Sequence, residues 1–371
     1  QLQTSCWDCC YKESRYLWPF PLQYKMSTWV VEEKRSWPEW VALRVLRVGP
    51  IPKHLALIMD GNRRFAKLHQ QNALHGHLEG FKTLTNVLAW CRDLGITEVT
   101  AYAFSIENFK RSKEEVDGLM ALAVEKFEQM LKEKDKLSKH GVCIRVIGNM
   151  DLLPVKLRCL AAEAMLVTKD NSRCFLNLAM AYTSREEISS AMKECASAIA
   201  EGRLKESDAT PRLLEHCLYT SHSHHPDLLV RTSGETRLSD FLLWQTQFSC
   251  IFFTKVLWPE LSIWHVFRAV FHYQRHHHML VAARKQAELL YDQYQHTADL
   301  EHCTRDVGVV QDESISQEHL SAVAEARVQR TSSFTNQVTS RRLQHLQRLA
   351  GMLPEMMLQS EQLQQHPSDH T

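Results

Sequence analysis

The run Leu55-Ala56-Leu57-Ile58-Met59-Asp60-Gly61-Asn62-Arg63-Arg64 sets an apolar stretch against one carboxylate, a Gly-Asn turn and two arginines at what reads as a helix start. A buried strand that delivers a carboxylate to a helix N-terminus makes a place for an anion and its metal. Free backbone N–H groups and the helix dipole favour negative charge there. Guanidinium forks match phosphate oxygens. Mg²⁺ ordinarily binds through one or two carboxylates plus substrate phosphates. The local chemistry is that of a diphosphate site with a magnesium ion. An ordinary turn followed by solvated arginines would share the pattern, so the other loops carry the distinction.

Two further segments place arginines beside turn residues. Arg111 follows Ser105-Ile106-Glu107-Asn108-Phe109-Lys110, and Arg231 opens Arg231-Thr232-Ser233-Gly234-Glu235-Thr236-Arg237-Leu238-Ser239. Small residues there let backbone N–H groups approach an anion closely. Three anion-suited loops at the ends of strands suggest two phosphate-rich ligands, or one long one. No G-x-x-x-x-G-K-[ST], G-x-G-x-x-G or D-D-x-x-D run occurs, which argues against a P-loop and a Rossmann cofactor site. A phosphatase reading lacks a nucleophile beside a base.

These residues must be positioned by alternating elements. Strands are expected at 55–59, 98–104, 142–148, 174–180, 227–231 and 250–253, and helices at 76–94, 113–139, 153–168, 185–201, 210–217, 238–246 and 262–295. Such alternation, with Val/Ile/Leu-rich strands, predicts an α/β single domain with a central, mostly parallel sheet of about six strands flanked by helices. Ligands then sit at the carboxyl ends of the strands, where Asp60, Ser105 and Arg231 fall. In 113–139, Val116, Leu119, Met120, Ala123, Phe127, Met130 and Leu131 form a helical apolar stripe, which is core packing or one wall of a long apolar slot.

The 371 residues divide into a segment 1–25 that is disordered or upstream of a start at Met26, an amphipathic helix region 26–49, a catalytic domain 50–295, and a helical or disordered extension 296–371. That extension has helical patches at 317–330 and 338–350 and a disordered tail from Gln359. Lys+Arg 44 against Asp+Glu 43 leaves a net charge of +1, so there is no global field for nucleic acid. The mean hydropathy of −0.32 fits a soluble protein, and no apolar run is long enough to span a membrane. Eleven scattered cysteines read as buried free thiols of a reducing compartment. The Cys6-Cys9-Cys10 cluster lacks the second pair of a zinc site, and the runs His222-His224-His225 and His276-His277-His278 read as solvated.

The motifs Ile58–Arg64, Tyr102–Ser112, Arg231–Gln245 and Val256-Leu257-Trp258-Pro259-Glu260, in this order, resemble those of the cis-prenyltransferases, over about residues 26–295. Within that family the chain looks most like the animal catalytic subunits that serve dolichol synthesis and protein glycosylation. The family condenses isopentenyl diphosphate onto an allylic diphosphate, with new double bonds in the cis configuration. By motif, the resemblance implies that Asp60 binds Mg²⁺. Asp60, Gly61, Asn62, Arg63, Arg64 and His77 would hold the diphosphate of farnesyl diphosphate. Arg111, Arg231, Arg237 and Ser239 would hold isopentenyl diphosphate. Asn108 would lie near the proton that is lost, and an apolar tunnel with Phe127 in its wall would take the growing chain.

The chain departs from the family pattern at three places. Cys250 stands where bacterial members carry a second carboxylate ligand. Ala73 replaces an arginine ahead of Gly76-His77, which removes a diphosphate donor. An Arg-x-Gly motif occurs only at Arg47-Val48-Gly49 and not in the C-terminal region. The resemblance implies that a partner like the Nogo-B receptor supplies that motif and recruits the chain to the cytosolic face of the endoplasmic reticulum. Alone, the chain is expected to be weak or inactive. A second reading is a non-catalytic subunit that stabilises a prenyltransferase partner, against which the intact Asp60, Asn108, Arg111, Arg231 and Arg237 set argues.

Overall fold

The computed structural model describes residues 29–31, 34–307 and 317–354, so the expectations for residues 1–25, the Cys6 cluster and the tail from Gln359 lie outside the described residues. Strands β1 (His54–Ile58), β2 (Glu98–Ser105), β3 (Val142–Ile147), β4 (Cys174–Tyr182), β5 (Leu228–Arg231) and β6 (Cys250–Phe253) form one sheet in the order β3-β4-β2-β1-β5-β6. Every neighbouring pair is parallel. Parallel neighbours need crossover connections, and the helices that make them cover both faces. All five residues of β1 are therefore buried. Leu55 and Leu57 face one apolar cluster and Ala56 and Ile58 the other, as the two-residue period of a strand requires.

The helices are α1 (Trp37–Leu46), α2 (Asn62–Leu68), α3 (Ala73–Leu94), α4 (Lys113–Lys132), α5 (Lys134–His140), α6 (Val155–Thr168), α7 (Ser184–Ala200), α8 (Pro211–Cys217), α9 (Ile263–Val307) and α10 (Gln317–Gly351). The strand and most helix expectations agree with these bounds. Chain order reverses at β1, whose neighbours are β2 and β5, and a ligand crevice is expected at their carboxyl ends.

Three helix expectations are corrected. The segment 113–139 is two helices, because the apolar stripe lapses at Lys132-Glu133-Lys134, where the Glu133 carboxylate instead receives the Trp29 N–H at 3.2 Å. The patches 317–330 and 338–350 are one continuous helix, α10. It packs on α6 through Leu346, Leu349 and Ala350 and near α7 and α8 through Phe334 and Val338, while Arg330 pairs with the fully buried Asp208 at 2.9 Å. Helix α9 extends the expected 262–295 on to Val307.

The third correction concerns 238–246, which is a succession of turns and not a helix. Ser239, Asp240 and Leu242 all adopt positive φ (51°, 59° and 47°), a conformation that breaks a right-handed helix. Contacts from other elements take over the backbone and side-chain groups. The Asp240 carbonyl accepts from Ser184 N at 2.8 Å, and Leu243 N donates to Ser184 Oγ at 2.8 Å. Gln245 Nε2 donates to Glu187 at 2.9 Å and to Thr220 Oγ1 at 2.7 Å. Burial pushes the Glu187 carboxyl up, and its bonds to Tyr182, Gln245 and Thr220 pull it back. Each left-handed residue costs on the order of 1–3 kcal/mol, and such strain gathers at ligand sites.

Candidate active site

Asp60 leaves β1 at its carboxyl end and lies on the wall of a cavity of about 530 Å³. Residues from every strand end of the crevice converge there: Asn62 and His77, Ser105, Asn108 and Arg111, then Arg231, Arg237 and Ser239. The turn after Asp60 needs Gly61. Its φ is +114°, and a Cβ there would stand 3.1 Å from the Leu257 backbone. The peptide of Asp60 is fixed by Thr232, whose hydroxyl accepts from Asp60 N at 3.0 Å and donates to Asp60 O at 2.6 Å.

Arg231, at the end of β5, is 2% exposed. Its guanidinium donates to Asp60 Oδ2 at 2.9 Å, to Ser239 Oγ at 2.7 Å and to the Arg237 carbonyl. Tyr102 of β2 holds the same loop by donating to Ser239 O at 3.3 Å and Tyr182 O at 3.0 Å. Arg64 reaches Ser233 O at 3.1 Å and stands 3.7 Å from Asp60 Oδ1. Burial raises the Asp60 carboxyl, but the Arg231 hydrogen bond and charge, Ser233 and Arg64 outweigh it. The group lies below its ordinary value and is ionised at neutral pH.

The predicted residues are not all equivalent. The Arg63 and Arg64 side chains are 61% and 48% exposed and neither is on the cavity wall; Arg63 faces Glu115 at 4.0 Å at the rim. Glu115, which sequence reasoning missed, also binds Arg111 at 2.8 Å and so ties the two arginines into one group. Its signal was the i,i+4 spacing from Arg111. Arg185 was missed too. It lines the cavity, pairs with Asp240 at 2.8 Å, and opens α7 just after β4, the same strand-to-helix position that singled out Arg63 and Arg64. Asn108 caps the turn at 106–110, its Oδ1 accepting from Ser105 N at 3.1 Å. Cys250 opens β6 level with Leu228 and, through it, Leu55. It therefore lies roughly 17 Å before Asp60 along the strands and does not enter the cavity.

Among the described residues, three polar atoms at the cavity are buried without partners: Asn62 Oδ1, His77 Nε2 and Arg231 Nε. The Asn62 amide nitrogen lies 3.3 Å from His77 Nδ1. With Asn62 donating, the His77 proton sits on Nε2, a free donor for an anion. Burial first, then Arg111 and Arg63 against Glu115, pushes the His77 imidazole down to about 4. The unfolded imidazole takes a proton near its ordinary value, about 6.5, and the folded one resists it. Stability from this residue is thus complete above about 6.5 and is lost as pH falls toward 4. His77→Gln should show a shallower loss of unfolding free energy across that window, measured by denaturant titration at several pH values.

The polar cavity shares Met59, Asn62, His77, Ala103, Phe104 and Leu119 with a second, mainly apolar cavity of about 140 Å³. That slot runs between α3 and α4 and is walled by Phe81, Leu84, Met120, Ala123 and Phe127, with Leu178, Met180 and Trp258 from the sheet side. Half of the α4 stripe thus lines a slot, while Met130 and Leu131 pack in the core. Trp29 closes the far end, donating Nε1 to Lys126 O at 2.9 Å.

A polar cavity lined by four arginines that opens into an apolar slot suits an anionic head joined to a hydrocarbon tail, as in a prenyl diphosphate. A family model described as putative undecaprenyl diphosphate synthase matches residues 58–280. The chain is 50% identical over 304 residues to the human dehydrodolichyl diphosphate synthase complex subunit, which covers 82% of this chain and 89% of the human one. It is 44% identical over 218 residues to a geranylgeranyl-diphosphate-specific tritrans,polycis-undecaprenyl-diphosphate synthase of Pyrococcus furiosus, covering 59% and 82% of the two chains. Among solved structures, lavandulyl diphosphate synthase from Lavandula x intermedia, in complex with dimethylallyl diphosphate, superposes with a TM-score of 0.58 at 32% identity, covering 60% of this chain and 95% of that one. The chain belongs to the undecaprenyl diphosphate synthase-like prenyltransferase family: it is a cis-prenyltransferase, a transferase that makes polyprenyl diphosphates.

Proposed function

We propose that this chain is the catalytic subunit of a two-subunit enzyme that extends farnesyl diphosphate with isopentenyl diphosphate to dehydrodolichyl diphosphate, for dolichol and protein glycosylation. The observation that carries this reading is the continuity of the Asp60–Arg231 cavity with the apolar slot. Asn62 and His77 hold the allylic diphosphate, with Arg63 and Arg64 at the rim. Arg111, Arg231, Arg237 and Ser239 hold isopentenyl diphosphate. The family reaction breaks the allylic C–O bond, so charge grows on the departing diphosphate. Preorganised guanidinium and N–H donors in a water-poor site stabilise that charge without reorganising. The slot shields the allylic cation from water. Asn108 positions the group that loses the proton, since an amide is too weak a base to keep one.

Mg²⁺ fits the donor set: Asp60 is an ionised, partly exposed carboxylate on the cavity wall, and phosphates would complete the coordination. When bound, the ion neutralises charge on the diphosphate. The human relative is named as a complex subunit, which supports a heteromer. The partner we assign is one like the Nogo-B receptor, supplying Arg-x-Gly and recruiting the chain to the cytosolic face of the endoplasmic reticulum. Among the described residues no helix is long and apolar enough to cross a membrane, consistent with peripheral attachment. The test is incorporation of labelled isopentenyl diphosphate, with farnesyl diphosphate and Mg²⁺, with and without that partner. Long products only with the partner are expected. No products from a folded chain that still binds the partner would favour the non-catalytic subunit.

Two variants probe the two ends of the site. Ala73 begins α3, one turn before His77 on the same face. Ala73→Arg should lower the KM for farnesyl diphosphate about tenfold, as one charge-assisted hydrogen bond would. Among the described residues, Trp29 is the one common to the slot and a further apolar cavity of about 70 Å³ lined by Leu88, Val99, Leu137 and Ile144. Trp29→Ala should join the two spaces and shift products to longer chains, read by reversed-phase separation.

A further inference from the structure

On the side of the sheet away from the catalytic loops, three metal-ligating side chains meet. The Cys250 Sγ and one ring nitrogen each of His272 and His276 all lie within 4.8 Å of one another. Cys250 opens β6 and is 6% exposed, and the two histidines stand one turn apart on α9. The i,i+4 spacing puts both rings on one face of the helix. The sequence reading considered only the consecutive run at 276–278, whose members point in different directions, and so passed over the pair His272–His276.

Two details make the cluster resemble a ligand set and not a chance encounter. His276 Nδ1 donates to the His272 carbonyl at 2.9 Å, so Nε2 is the ring nitrogen left to act as a ligand. A backbone carbonyl on the far nitrogen is the usual partner of a metal-bound imidazole, because it fixes tautomer and ring orientation. The His272 ring lies 4.6 Å from the His276 ring and 5.5 Å from Phe252, so one side of the cluster is apolar.

We infer that Cys250, His272 and His276 bind a borderline-soft divalent cation of the Zn²⁺ class, separate from the magnesium site at Asp60. One thiolate and two imidazoles suit Zn²⁺, whereas Mg²⁺ takes oxygen ligands. Zn–S and Zn–N bonds of about 2.3 and 2.0 Å set ligand atoms roughly 3.5 Å apart, a small closure from the observed spacing. Three protein ligands leave a fourth position for water. The bound ion staples the first half of α9 to edge strand β6.

Co²⁺ is the probe, added to the full chain in excess Mg²⁺ so that oxygen sites are occupied. The expected result is a thiolate-to-cobalt absorption band at one equivalent, displaced by Zn²⁺. Cys250→Ser should abolish it, and a His272→Gln, His276→Asn variant should weaken cobalt binding at least tenfold. The latter changes no buried cysteine, so its circular dichroism checks that the fold survives. A variant with Cys6, Cys9 and Cys10 changed to serine should keep the band. Absence of the band, its survival in both ligand variants, or its loss with the N-terminal cysteines would each overturn the assignment.

Discussion

Asp60→Asn should leave a folded protein whose turnover falls by about 10³-fold. The magnitude follows from losing several kcal/mol of metal-mediated charge stabilisation in the transition state. The amide keeps the volume and one oxygen for Arg231, which retains Ser239 Oγ at 2.7 Å and the Arg237 carbonyl. Melting should therefore change little, while the requirement for Mg²⁺ disappears with activity. The measurement is steady-state rate against Mg²⁺ concentration beside thermal unfolding of the same preparation. Wild-type-like turnover in Asp60→Asn would remove the metal assignment, and a large drop in melting temperature would make the residue a structural one. Isothermal titration with farnesyl diphosphate separates binding from chemistry, because His77, Asn62 and Arg64 remain in place.

The second large effect is expected from a close backbone approach. A Cβ added at Gly76 would stand 2.2 Å from the Asn62 backbone oxygen and 3.1 Å from the Ala66 Cβ. Backbone atoms cannot swing aside as a flexible side chain does, so Gly76→Ala must push α2 away from α3. Overpacking of this kind costs roughly 1–3 kcal/mol. The activity cost is larger, because α2 carries Asn62, Arg63 and Arg64. A displacement near 1 Å at a positioned group costs about 100-fold in rate. Gly118→Ala is the control. Its Cβ would meet only Leu74 at 3.9 Å in the interior of α4, and it should stabilise by about 1 kcal/mol with normal activity. If Gly76→Ala kept full kcat/KM, the close approach of α2 and α3 would not be what places the diphosphate loop.

Much of the architecture was legible because it depends on local pattern. Alternating β and α segments with apolar strands impose a covered parallel sheet, and strand-end residues impose a site at the carboxyl edge. Asp60 and Arg231 could be found this way, since each sits where a strand gives out into a turn, and Arg111 closes the short turn that follows β2. The segment 238–246 was misread for the opposite reason. Phe241-Leu242-Leu243-Trp244-Gln245 has the composition of a helix, but Ser184, Glu187 and Thr220 are distant in sequence and capture its polar groups. Helix propensity is a weak local preference, and several tertiary hydrogen bonds override it.

By itself the sequence determined the fold class, the order of the elements and the residue types that gather at one edge of the sheet. Those follow from periodicity, turn chemistry and the need to bury apolar strands. Only the tertiary structure decided which arginines share the cavity and which stay at its rim, because Glu115 and Asp60 choose their partners by distance. It also decided how far the apolar stripe of α4 becomes a slot and how much becomes core, a matter of the gap left between α3 and α4. And it brought Cys250 against His272 and His276, a meeting set by the packing of α9 on β6 across about twenty residues of chain.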